Sequence, residues 1–157
     1  MLELFPDARF VHIHRNPYDV FQSIRHTHEK VNPWVNLQRP IFDGLDERIL
    51  RQIRDAYAAF FDERSLIAKG RFHELSFAAL EADPVGQVRR IYEGLALPDF
   101  GYVEPRLRRY VESLSDYRKN TFPELSTQER HHIALEWRRY FDEWDYPLDD
   151  LKTQSSA

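Results

Sequence analysis

Apolar and polar positions along this chain change period several times, and each change marks an element. From Ala8 to His14 (ARFVHIH) β-branched and aromatic residues cluster between charged flanks, which predicts a mostly buried strand. Asn16 then suits an N-cap, Pro17 the first helical position and Asp19 the place of a capping-box acid. Val20, Phe21 and Ile24 form the apolar side of the helix that follows, predicted to continue to Lys30. Pro33 and Pro40 forbid a regular helix through VNPWVNLQRP (31–40). From Asp46 to Ala68, apolar residues at 49, 50, 53, 57, 60, 61 and 67 make a helical stripe, and its Tyr57, Phe60 and Phe61 read as core. Gly70 ends that helix, and RFHELSF (71–77) alternates as a second strand. Ala78 to Pro84 leads into a helix over Val85–Leu95, Pro98–Gly101 is a turn-rich break, and Glu104–Leu114 reads as another helix. Ser126 to Glu129 is a capping box opening a helix to about Trp144. Ile133, Trp137, Tyr140, Phe141 and Trp144 recur there at three- and four-residue spacing, a packing face for the domain core or for a second copy in a homodimer.

Composition narrows the class. With 157 residues, 42% of them apolar and 14% aromatic, the chain has material for one core. A net charge of −4 gives no general reason to expect nucleic acid or an anionic membrane as partner, although Arg106, Arg108, Arg109, Arg118 and Lys119 cluster locally. The chain has no cysteine, which excludes disulfide and thiol chemistry and makes the cytoplasm the default compartment. No apolar run is long enough to span a bilayer, and the opening MLELFPDA lacks a basic leader region. The seven histidines include His12 and His14 on one strand face, His26 and His28 two apart on a helix, and the neighbours His131 and His132. Neither helical pair has the four-residue spacing that turns two imidazoles onto one ion, so no metal is expected.

The junction of the first strand and helix carries the chemistry. Arg15 stands at the join, and Ser23 lies about two turns past Asn16, on the face of the helix start. A phosphate there meets the positive end of the helix dipole, with Arg15 as a charged fork and the Ser23 hydroxyl as a further donor. Read from spacing alone, Arg15 could equally end a strand and Ser23 be a solvated helix residue.

The run FPDARFVHIHRNPYDVFQS (5–23) closely resembles the 3′-phosphate-binding segment of sulfotransferases that use 3′-phosphoadenosine 5′-phosphosulfate, most of all a bacterial branch, and the similarity weakens toward Tyr146. The resemblance implies that Arg15 and Ser23 hold the 3′-phosphate of the donor. It further implies an α/β fold: part of the three-layer, P-loop NTPase-like sulfotransferase fold, with short parallel strands and a largely helical C-terminal half. The segment around Glu74, Leu80, Asp83 and Pro84 is similar to a second family motif, E-V-x-Y-E-D-L-x-x-D-P. Here Phe77 replaces the Tyr near the donor nucleotide, able to stack on adenine but not to hydrogen-bond, while Ala78 and Ala79 replace two acids. Arg118, Lys119 and Asn120, with Phe122, look like the basic loop that closes over the nucleotide, and Trp34 falls in a region that borders the acceptor pocket in the family.

None of the five glycines precedes a lysine, so the phosphate-binding loop of the family is not found in this sequence. The first strand would be central in a parallel sheet and need neighbours on both edges. The expectation is therefore a C-terminal portion of one sulfotransferase domain over residues 1–150, inactive alone, with a disordered tail at 151–157. Sulfuryl would pass from the donor to a hydroxyl or amine of a small-molecule, glycan or lipid acceptor, without a metal. The usual base of the family lies upstream, leaving His14 and His26 as the local candidates. Two other readings stand beside this one: a non-catalytic dimerisation module, and a P-loop kinase-like phosphotransferase.

Overall fold

The computed structural model describes residues 4–31, 34 and 42–148; the expected tail at 151–157 lies outside them. The architecture is mixed α/β, mostly helical with one short parallel sheet, and the chain divides into two compact units.

The first unit takes in residues up to Arg15 and Glu63–Asn120. Its sheet pairs β1 (Phe10–His14) with β2 (Phe72–Ser76) in parallel, in the register Phe10↔Phe72 to His14↔Ser76. Partners in a parallel pair project to the same side, so His12, His14, Glu74 and Ser76 share one face and Val11, Ile13, His73 and Leu75 the other. Helix α3 (Phe77–Ala82) follows β2 directly, capped by Ser76, whose Oγ accepts from the Ala79 amide at 3.0 Å. Helix α4 (Pro84–Gly94) is capped in turn by Asp83, whose carboxylate accepts from the Gly86 amide at 2.9 Å, with Pro84 in the first turn. A Cβ on Gly94 would sit 2.7 Å from His73 Nδ1, so the missing side chain here lets α4 approach β2 closely. Helix α5 (Phe100–Ser113) lies against α4 through Phe100, whose ring meets Tyr92 at 5.3 Å and the Arg89 guanidinium at 4.9 Å.

The second unit takes in Asn16–Asp62 and the chain from Thr121 on. It is built from α1 (Pro17–His26), α2 (Leu45–Glu63), α6 (Thr127–Glu136) and α7 (Arg138–Glu143). Its core joins Tyr18 and Phe21 of α1 with Ile49 and Leu50 of α2 and with Ile133, Trp137, Tyr140 and Phe141 of the last two helices. Phe61 is buried and Tyr57 packs on that cluster, as the stripe predicts.

Several expectations change. Helix α1 stops at His26 and widens into a π-helical turn over Thr27–Val31, short of a regular helix to Lys30. Helix α2 ends at Glu63 in a 3₁₀ turn, Arg64–Leu66, not at Ala68. Phe77–Ala82, taken for the end of a strand and a lead-in, is a helix because Ser76 caps it. Helix α5 starts at Phe100, inside the break expected over Pro98–Gly101 and ahead of the expected start at Glu104. The last helix divides at Trp137, whose backbone (φ −110°, ψ 25°) leaves the helical region. Among the described residues β1 pairs with β2 alone, where two neighbours were expected.

The capping box of α6 also anchors an ion cluster. Glu129 accepts from the Ser126 amide (2.8 Å) and hydroxyl (2.7 Å) and from Arg25 (2.8 Å), while Arg25 forks onto Asp46 at 2.8 and 3.0 Å. The Ser126 bonds first, and the Arg25 charge after them, lower the Glu129 carboxyl from its ordinary 4.5 to about 2. With the folded value below the unfolded one, this carboxylate stabilises the fold above about pH 4.5, and the contribution is lost as pH falls toward 2. Glu129→Gln is expected to cost about 1 kcal/mol near pH 7, its charge being partly solvent-screened, with the gap from wild type closing on acidification. Urea titrations at pH 7, 4 and 2.5 measure it.

Candidate functional site

The register of the sheet brings the site together. His14 and Ser76 are its last paired residues, so Arg15 and Phe77 follow side by side at the carboxyl ends of two parallel strands. In open α/β sheets that end is where ligands bind. The Arg15 guanidinium lies over the Phe77 ring, 4.8 Å from its centroid. Beyond α5, turns at Leu114 and Ser115 lead into the loop, which returns Lys119 to the same ring, its ammonium 5.9 Å from the centroid. Lys119 also pairs with Glu81, which lies one turn after Phe77 on α3. Arg118 and Asn120 flank it, both exposed.

Three of the predicted donor residues, Arg15, Phe77 and Lys119, therefore converge in the first unit. Phe77, expected as a stacking surface for adenine, meets a cation here. Ser23 belongs to α1 in the second unit, half-buried, its carbonyl accepting from Thr27 Oγ1 at 2.8 Å. The start of α1 is capped as expected, with Asn16 Oδ1 accepting from the Tyr18 amide at 2.9 Å.

The two histidine candidates differ in setting. His14 stacks on His12 at 6.3 Å between centroids, and His12 Nδ1 is 3.0 Å from Glu74 Oε1. Desolvation lowers the His14 pKa, with His12 adding to the effect and Glu74 opposing it. His26 in α1 meets the edge of Phe122 at 5.4 Å, an aromatic contact of the second unit. Trp34 is 88% exposed. Among the described residues no group of three or more His, Cys, Asp or Glu is placed to hold a metal ion, and no helix is long and apolar enough to cross a membrane.

Sequence reading missed Glu81 and the His12–Glu74 pair. Glu81 follows Phe77 at i,i+4 spacing on a helix that the sequence did not suggest, and the pairing of His12 with Glu74 follows from the register of the parallel sheet. A cleft in the second unit, between α2 and the last two helices, is lined by Ile53, Tyr57, Phe61 and Trp137. Its rim cations are engaged, Arg54 with Glu136 at 2.7 Å and Arg139 with Asp62 at 2.9 Å.

Residues 1–101 match the family described as the Sulfotransferase family. Over 146 residues, 93% of its length, the chain is 38% identical to proteins named omega-hydroxy-beta-dihydromenaquinone-9 sulfotransferase Stf3 from Mycobacterium bovis and Mycobacterium tuberculosis. It spans only 37% of the length of either. No solved structure matches the chain.

Proposed function

Because the chain belongs to the sulfotransferase family, we propose that it carries the 3′-phosphate-binding part of a sulfotransferase using 3′-phosphoadenosine 5′-phosphosulfate. The observation that carries this reading is the meeting of Arg15 and Lys119 on Phe77 at the carboxyl ends of the two strands. A guanidinium and an ammonium in one place suit a phosphate dianion: the first supplies a planar fork of donors, the second a point charge. Ser23 is assigned to the same phosphate as a hydroxyl donor, and Arg118 and Asn120 to the loop beside Lys119. The P-loop NTPase-like detail of the fold belongs to the same proposal.

The reaction is an in-line displacement. The acceptor oxygen forms a bond to sulfur as the bond from sulfur to the 5′-phosphate oxygen breaks. 3′-Phosphoadenosine 5′-phosphate leaves with the electron pair, and the acceptor proton goes to a base. Charge grows on the leaving nucleotide, so what this chain contributes is positioning and electrostatic stabilisation. The relatives are named for an ω-hydroxylated dihydromenaquinone, which supports a hydroxyl as the acceptor here. His14 and His26 are the bases this chain could offer.

Calorimetric titration tests the reading. 3′-Phosphoadenosine 5′-phosphate should bind at least about tenfold more tightly than adenosine 5′-phosphate, the gain expected of charge-assisted bonds to one added phosphate. Equal affinity for the two, or a preference for ATP, would defeat it; the ATP result would point to a kinase-like enzyme instead.

A further inference from the structure

We propose that Glu81 is a positioning residue: it parks Lys119 on the face of α3, and a nucleotide phosphate must draw the ammonium away to be bound. The inference rests on the donor-site reading above. Phe77 and Glu81 are four residues apart on α3 and so share a face, and Lys119 engages both, pairing with the carboxylate and lying 5.9 Å from the ring centroid. An ammonium is a compact point charge on a flexible stem, so a stronger anion can redirect it. Glu81 offers it a single negative charge, whereas a phosphate monoester carries about −1.5 to −2 at pH 7. The side chains of Lys119 and Glu81 are 57% and 35% exposed, so water and salt weaken their pair and an incoming phosphate displaces the carboxylate. The pair thus holds the basic loop in order without the ligand and yields when the ligand arrives. The consequence is a modest loss of affinity, since breaking the pair subtracts from binding and the carboxylate repels the anion.

Two readouts test this on the whole chain. Glu81→Gln keeps the size and polarity of the side chain and removes its charge. It should tighten binding of 3′-phosphoadenosine 5′-phosphate by about threefold at low salt, a gain that fades near 1 M salt. Against a Lys119→Ala background the same substitution should leave affinity unchanged, because the carboxylate acts through Lys119. Without nucleotide, Glu81→Gln should also speed tryptic cleavage after Lys119 severalfold by releasing the side chain. Unchanged or weaker binding in Glu81→Gln, or tightening that persists without Lys119, overturns the proposal. Should the wild type bind no nucleotide, the donor-site reading fails by itself, and the cleavage rate still decides whether Glu81 parks Lys119: faster supports it, unchanged overturns it.

Discussion

Trp137→Ala is expected to destabilise the protein by about 3–5 kcal/mol, enough to leave a marginally stable fold largely unfolded at 37 °C. Trp137 is 2% exposed at the centre of the second unit, its ring 5.9 Å from Phe21 in an edge contact and 6.2 Å from Tyr140. Truncation removes that apolar area from the core and leaves a cavity that the helices around it cannot fully close. It also removes a buried hydrogen bond, which the indole Nε1 donates to the Leu50 carbonyl at 2.9 Å. Trp137→Phe separates the two effects: it keeps most of the ring and loses the N–H, and should cost about 1–3 kcal/mol. Guanidinium midpoints followed by far-UV circular dichroism read both variants. A loss below about 1 kcal/mol for the alanine variant would mean that this core does not depend on the indole.

Trp137 also shows where a sequence stops informing. The three- and four-residue spacing of Ile133, Trp137, Tyr140 and Phe141 identifies the buried face correctly, since amphipathicity is a local property. That the helix breaks at Trp137, where the indole reaches the Leu50 carbonyl, depends on a group from another helix. Caps were read well for the same local reason: Asn16, Ser126 and Glu129 bond amides within a few residues of themselves. The start of α5 was read late, because Phe100 and Gly101, assigned to a turn-rich break, form its first turn, where Phe100 packs on Tyr92.

The site divides in the same way. Arg15 and Ser23 stand out from one contiguous stretch, and resemblance alone attaches Phe77 and the 118–120 loop to them. What joins Arg15 to Phe77 in space is the parallel register of β1 and β2, a long-range pairing that no window of sequence contains. The pairing of Lys119 with Glu81 needs, in addition, a helix where the sequence suggested only a connection. The expected acids of that connection are absent, and Ser76 and Asp83 supply the caps on either side of Ala78 and Ala79.

Arg15→Ala is expected to weaken binding of 3′-phosphoadenosine 5′-phosphate by about 10- to 100-fold, the worth of a charge-assisted pair of hydrogen bonds. Binding of adenosine 5′-phosphate should change little, since the proposed interaction is with the 3′-phosphate alone. Arg15→Lys should fall between, keeping the charge but losing the planar fork that two phosphate oxygens accept. Arg15 is half-buried, and in the ligand-free protein its cation–π interaction with Phe77 is worth about 0.5–1 kcal/mol. A large loss of affinity beside a small loss of stability is therefore the signature of a binding residue here. Equal affinity of wild type and Arg15→Ala for the 3′-phosphorylated nucleotide would reduce Arg15 to the cap of a strand packed on an aromatic ring.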